Sequence, residues 1–365
     1  MSKYLGKTGR FDWGLFLLVM ALLIISLFNL YSATLGLSTA KYFKSQMIWS
    51  LLSVMVAAGI ALFDYRLWSR YVYPIYGLTL LILLYVLFFG KTSQGAQRWI
   101  RIAGVAFQPS ELAKISVVLT MAKYYSEKRD FGAMGIVQLI KPILLMLLPF
   151  LLVLKQPDLG TALILAGSGV IMTLFVGVEK KIVITTVVLM LASVPLVWKY
   201  MLHPYQKDRV VSFLNPEKYP LSKGYQVIQS KIAIGSGQFF GKGYLKGTQS
   251  KLQFLPKQHT DFVFSNFAEE FGFMGSFFLI ALYTALGVLG FSIALHARDS
   301  FGLFLALGTT CLLLTQTIIN LGMEIGMLPV VGMTLPILSY GGSSLLTTFV
   351  GVGILMNVSL RRYLF

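Results

Sequence analysis

Residues 13–34 read WGLFLLVMALLIISLFNLYSAT, 22 positions without a charged side chain. A run of this length matches the roughly 20 apolar residues an α-helix needs to cross the hydrocarbon core of a bilayer. In lipid, every backbone N–H and C=O must be paired within the segment, so such a run folds as a helix. It is too long for the apolar part of a cleaved signal peptide and has no small-residue cleavage site, so it is expected to stay as a first span. Working outward, nine further apolar runs follow, at about 46–63, 72–89, 110–125, 141–155, 159–178, 182–199, 264–296, 302–326 and 342–360. The fourth contains Glu111 and Lys114, and the fifth is short and holds Pro142 and Pro149. The eighth exceeds what a span needs, so its start is expected outside the hydrocarbon.

Composition agrees. Hydrophobic residues make up 56% of the 365 and charged residues 12%, about half the roughly 25% charge of a soluble domain. That excludes a soluble enzyme, a disordered chain and a disulfide-stapled secreted domain. The single cysteine, Cys311, lies inside an apolar run and makes no intrachain disulfide. The formal net charge is +17. Because the bases sit in loops between apolar runs, they point to anionic lipid head groups and phosphates and not to nucleic acid. The expected fold is an all-α polytopic membrane protein of about ten transmembrane helices in one domain, 1–365.

Short-loop Lys and Arg set the orientation. With the N-terminus in the cytoplasm, 14 fall in inside segments and 6 in short outside loops, so both termini are expected inside. Between the seventh and eighth spans lies one large extracytoplasmic loop, about 199–261, with ten bases and three acids, a net of +7. Long loops of this kind tend to be functional. Tyr225, Ile228, Ile232 and Ala233 recur at helical spacing, with Lys231 on another face, which predicts a short amphipathic helix on the membrane surface. Gly235, Gly237, Gly241, Gly243 and Gly247 follow as an expected flexible stretch, with Lys242 and Lys246 among them.

Ionisable residues at membrane depth are costly and mark function. In QPSELAK, 108–114, Pro109, Ser110 and Glu111 signal a helix start, and a spacing of three puts Glu111 and Lys114 on one face. They read either as a self-neutralising structural pair or as a cavity cation held ready for phosphate. Asp158 in QPDLGT, 156–161, reads first as a helix N-cap, with a place on the same cavity left open. Asp261 in LPKQHTDF, 255–262, stands at the outer surface before the eighth span. An N-cap does not call for His259, Thr260 and Asp261 together beside a basic glycine-rich loop, so a catalytic or metal-binding role is favoured. One His and one Asp are too few for structural zinc; a hard cation held by one carboxylate and substrate phosphates fits better. Glu269, Glu270 and Glu324 receive no role. The stretch LPVVGMTLPILSYGGSS, 328–344, predicts re-entrant or broken backbone, which membrane depth tolerates only in protein or along a cavity.

There is no Walker A sequence, no G-x-G-x-x-G, no HExxH and no G-x-S-x-G, so ATP-driven transport, dinucleotide chemistry, zinc proteolysis and hydrolase-type serine chemistry lack support. A surface carboxylate beside a cationic loop can serve a lipid-linked diphosphate sugar: the carboxylate as general base on a sugar hydroxyl, Lys, Arg or a cation against the leaving diphosphate. Composition alone does not choose this over transport.

The stretches GAQRWIRIAG (95–104), QPSELAK (108–114), QPDLGT (156–161), YQVIQSKIAIGSG (225–237), LPKQHTDFVF (255–264) and GMLPVVGMTLPILSYGGSS (326–344) together resemble the SEDS family (shape, elongation, division and sporulation), its rod-shape branch more than its division branch. The set spans nearly the whole chain, in family order. The resemblance implies a peptidoglycan glycosyltransferase that polymerises lipid II at the outer face of the bacterial cytoplasmic (inner) membrane during elongation, working with a class B penicillin-binding protein and a divalent cation, Mg²⁺ or Mn²⁺. It implies that Asp261 is the catalytic residue and, with the substrate diphosphate, the candidate metal ligand. Glu111, Lys114, Arg98, Arg101, Asp158, Lys231, Lys242, His259, Thr260 and Ser343 are the expected substrate-binding or cavity-shaping residues. A lipid II flippase and a non-catalytic scaffold for the penicillin-binding protein are the alternatives. The chain departs from the family pattern at Gln238, where a glycine is usual, at Lys257, where an acid is usual, and at Glu324, where an uncharged residue is usual. Lys257 is expected to favour an ionised Asp261 and to offer charge to a phosphate.

Overall fold

The computed structural model describes residues 11–34, 39–93, 96–102, 105–128, 132–201, 204–214, 223–252 and 254–362. All ten apolar runs are helices, named here with their short companions: α1 Trp13–Ala33, α2 Thr39–Leu62, α3 Tyr65–Trp68, α4 Val72–Phe89, α5 Pro109–Ser126, α6 Ile136–Lys155, α7 Leu159–Val176 and α8 Lys180–Leu196. Then come α9 Pro204–Leu214, α10 Lys223–Ser236, α11 Thr248–Lys251, α12 Val263–Leu295, α13 Ser300–Glu324 and α14 Gly342–Arg361. Among the described residues nine helices are long and apolar enough to cross a membrane, so the chain is a multi-pass membrane protein. The exception is α5, whose polar residues are shielded by protein: it packs on α4, α7 and α13, and all but four of its 18 residues are buried.

One feature departs from an all-helical expectation. The GAQRWIRIAG stretch forms the middle strand of a small antiparallel sheet, β1 Lys91–Ser93, β2 Ala96–Ile102 and β3 Val105–Phe107. Trp99, Ile100 and Ile102 are aromatic or β-branched residues that suit a strand, inside a segment too short to span.

Helix α13 is the axis of the bundle, packed against α5, α7, α12 and α14. Helix α14 lies along α2 so closely that a Cβ on Gly353 would stand 2.8 Å from the Ala57 carbonyl oxygen, the close approach that small residues give helices in lipid. By contrast α8 has no buried residue. Asp299 caps α13 by accepting from Gly302 N at 2.7 Å, and it also takes the Tyr65 hydroxyl at 2.6 Å and Arg66 Nε at 3.0 Å.

Helix α12 is broken at Gly272, whose φ is +63°, so a short first segment precedes the spanning part. The break is filled by the large loop. Lys242 N and Gly243 N donate to the carbonyls of Glu269 and Glu270 at 3.0 and 2.9 Å, while Phe273 N and Met274 N donate to Gln238 and Phe239 O at 2.9 and 3.1 Å. Each helical bond lost at the kink is replaced by a bond to the loop, as buried backbone requires. A Cβ on Gly241 would stand 2.1 Å from the Glu270 carbonyl oxygen. The glycine-rich stretch therefore serves close backbone approach; the flexibility expected of it is not what the structure uses. Helix α10 covers the amphipathic helix that the spacing predicts. It packs on α12 and α13, burying Val227, Ser230 and Ala233 and leaving Ile232 45% exposed.

Candidate active site

The sequence places its polar spans, its large loop and its broken C-terminal stretch around one cavity of about 980 Å³. Its floor comes from α5 and the start of α7. Lys114 Nζ lies 2.8 Å from Glu111 Oε2, both side chains almost fully buried, and donates to Gln316 Oε1 on α13 at 3.0 Å. Gln316 Nε2 in turn donates to Thr334 O at 2.9 Å, and Thr334 shares a 2.7 Å hydrogen bond with Ser344 Oγ. The buried ion pair thus holds the broken segment 325–341 through a chain of hydrogen bonds.

Asp158 is the most heavily bonded acid of the cavity. It caps α7 by accepting from Thr161 N at 3.4 Å, and it accepts from the Thr161 hydroxyl at 3.0 Å, Gln108 Nε2 at 2.8 Å and Ser110 Oγ at 3.2 Å. Arg98 Nη1 is 3.7 Å away, and Arg98 also donates to the carbonyls of Gln156 and Pro157.

The rim is built by the HTDF turn. Lys257 adopts φ +57°, and its carbonyl accepts from Thr260 N and Asp261 N at 3.0 and 3.1 Å. Asn320 on α13 donates to Asp261 O at 3.2 Å and to Met333 O at 2.7 Å, and Tyr340 N donates to His259 O at 2.9 Å. These bonds stitch the turn to the broken segment. The Asp261 carboxylate faces the cavity with its side chain 14% exposed, and Lys257 Nζ lies 3.6 Å from Oδ2. Burial pushes the Asp261 pKa above the usual carboxylate range, opposed first by the Lys257 charge and then by Thr260 and His259. Burial lowers the His259 pKa, against the Asp261 charge. The His259 ring packs on Tyr42 and Tyr340 at centroid distances of 4.9 and 5.9 Å.

The structure therefore brings together Asp261, His259, Thr260, Glu111, Lys114, Arg98, Asp158 and Ser343. Two expected residues stand elsewhere. Lys242 pairs with Glu269 at 2.6 Å, because that buried acid gathers the loop, accepting also from Thr248 N and Gln249 N. Lys231 is exposed on α10, its stem lying over Gly326, because α10 turns its other face toward α12. The Arg101 side chain lies outside the described residues. Sequence reasoning missed Gln316, Asn320 and Thr334. The available signal was an amide inside an apolar run, since polar groups at membrane depth are kept for hydrogen bonding.

Comparison with known proteins agrees with this architecture. The model of the FtsW/RodA/SpoVE cell cycle protein family matches residues 10–364. The chain is 41% identical over 354 residues, 96% of its length and 94% of the relative's, to the peptidoglycan glycosyltransferase MrdB of Escherichia coli K12. It is 36% identical over 362 residues to a probable peptidoglycan glycosyltransferase FtsW of Trichlorobacter lovleyi, covering 97% and 94%. Among solved structures it is similar to a chain of a peptidoglycan synthase complex that coordinates polymerization and crosslinking (TM-score 0.82, 35% identity, 97% and 99% covered). It is also similar to the rod shape determining protein RodA of Thermus thermophilus (TM-score 0.72, 30% identity, 97% and 98% covered). With the fold, the cavity and the motif order in agreement over nearly its whole length, the chain belongs to the FtsW/RodA/SpoVE family.

Proposed function

We propose that this protein is a peptidoglycan glycosyltransferase that polymerises lipid II into glycan strands, with Asp261 as general base. The observation that carries the reading is one carboxylate, at the mouth of a large polar cavity, that is spent on no helix cap and whose proton affinity burial raises. That is the tuning a general base needs.

In the reaction, Asp261 takes the proton of the acceptor sugar hydroxyl. The hydroxyl oxygen forms a bond to the anomeric carbon of the donor, the bond from that carbon to the lipid diphosphate breaks, and the diphosphate leaves with the electron pair. Arg98, Lys114 and Lys257 line the same cavity and supply fixed positive charge against the developing anion. A divalent cation, Mg²⁺ or Mn²⁺, fits this donor set as an ion held by Asp261 and the phosphate oxygens of the substrate, since no three His, Cys, Asp or Glu side chains gather among the described residues. When bound, it would neutralise charge on the leaving diphosphate.

The excess of Lys and Arg on one set of short loops supports a bacterial inner-membrane orientation with both termini cytoplasmic and the cavity at the outer face. The likeness to a chain of a synthase complex supports a class B penicillin-binding protein as partner. The test is polymerisation of labelled lipid II by the purified protein with that partner: long strands from wild type and none from a folded Asp261→Asn variant are expected, and full activity of the variant removes Asp261 from the mechanism.

A further inference from the structure

Each carboxylate lining the cavity already faces a protein cation: Glu111 with Lys114 at 2.8 Å, Asp158 with Arg98 at 3.7 Å, and Asp261 with Lys257 at 3.6 Å. The first two pairs are fixed by further bonds to the backbone or to Gln316. The third has the most exposed cation. The Lys257 side chain is 44% exposed, one helical turn of sequence from Asp261. Its ammonium stands against an oxygen of the carboxylate proposed above to hold the divalent ion.

A hard cation and an ammonium cannot share one carboxylate oxygen at close range without strong mutual repulsion. Resting on the transferase reading above, we propose that Lys257 is a built-in cation that competes with the divalent ion for Asp261 and takes over part of its neutralising role toward the substrate diphosphate. Both occupants place positive charge beside the same oxygen. They differ in that the ammonium is tethered to the turn through four methylenes and cannot be removed by a chelator. The left-handed backbone at Lys257, φ +57°, holds the side chain over the turn it closes, where its carbonyl accepts the Asp261 N–H at 3.1 Å.

The experiment uses the full chain in detergent, titrated with Mn²⁺ alone and followed by the electron paramagnetic resonance of the free ion. Lys257→Gln should bind Mn²⁺ about tenfold or more tightly than wild type, as removal of one like charge a few ångströms away implies. Lys257→Arg should resemble wild type, and the gain should vanish in Lys257→Gln combined with Asp261→Asn. Equal affinity of wild type and Lys257→Gln, or a gain that survives Asp261→Asn, overturns the competition. In a second arm, strand synthesis is measured in EDTA and in Mg²⁺. Wild type should keep a larger share of its Mg²⁺-supported rate than Lys257→Gln; equal shares overturn the neutralising role. If no variant makes strands, the transferase reading fails, while the Mn²⁺ titration still decides the competition.

Discussion

Asp158 and Asp261 carry the same signature in sequence: an aspartate at a break, just ahead of an apolar helix. The structure gives them opposite duties. Asp158 caps α7 and accepts from Thr161, Gln108 and Ser110. Asp261 caps nothing. Helix α12 starts behind Phe262 with no side-chain cap of its own, and the orphan N–H groups of Phe264 and Ser265 are met at 3.3 and 2.7 Å by Glu324 from the far end of α13. Ser265 Oγ adds a third bond to the same carboxylate at 2.7 Å. A helix start demands an acceptor; here a second acid supplies it from outside, which leaves the Asp261 carboxylate facing the cavity. The difference teaches that position before a helix does not assign a carboxylate its work. Who else satisfies the helix end does.

The largest effect should come from Asp261→Asn, an isosteric change that removes the proposed base. Strand synthesis should fall by about 10²–10⁴-fold, the usual worth of general-base catalysis, with melting temperature unchanged or raised, because a partly buried charge is lost. The mirror experiment is Asp158→Asn. Asn still caps, so it should leave the helix start intact; Asp158→Ala should cost about 1 kcal/mol through the cap, and in both strand synthesis should fall far less than in Asp261→Asn. If Asp158→Asn and Asp261→Asn lose activity equally, the division between structural floor and chemical rim is wrong.

Next in size is the buried pair. Lys114→Met strands Glu111 without its cation, and breaking such a pair from one side costs about 3–5 kcal/mol. The double variant Glu111→Gln with Lys114→Met should recover most of that loss in thermal unfolding while activity stays low, since Gln316 and the broken segment beyond it lose the ammonium that orders them. Glu324→Leu should cost less, about 1–2 kcal/mol, the range of a lost helix cap, and Glu324→Gln should restore part of it. A drop in strand synthesis with Leu that Gln reverses would show that the borrowed cap keeps Asp261 placed.

Much of this was legible in the chain. Ten apolar runs became ten helices, because length and lack of charge leave lipid-spanning backbone no other fold. The HTDF, QPSELAK and QPDLGT residues met in one cavity. Three things were not legible. The short sheet at 91–107 was masked by the helical context on either side. The loop glycines read as freedom, whereas Gly241 is needed because a Cβ there would strike the Glu270 carbonyl across the α12 break. Lys231 and Lys242 counted as site bases because charge in a loop says nothing of which buried acid will claim it, and Glu269 claimed Lys242. The amides Asn29, Gln316, Asn320 and Asn357, each inside an apolar run, all donate to main-chain carbonyls, of Val263, Thr334, Met333 and Ile60 respectively. A lone amide in a span is therefore a pointer to irregular backbone nearby.

The smallest effect separates rim from floor by pH. With Asp261 as the proposed base, catalysis needs it ionised, so the rate should fall as pH drops through its pKa, which burial holds above the ordinary carboxylate range and Lys257 draws back down. Lys257→Gln removes the downward pull, so the acid limb of the pH–rate profile should move to higher pH. The stability sign is the reverse of an ordinary salt-bridged aspartate. With the folded pKa above the unfolded one, the contribution of Asp261 is fully present below the unfolded pKa and is lost as pH rises through the folded value. Melting temperature should therefore decline slightly across that window in wild type and more steeply in Lys257→Gln, and the decline should be absent in Asp261→Asn. A Lys257→Gln profile that overlays wild type would place the ammonium too far from Asp261 to govern it, and would return the rim carboxylate to the same class as the floor.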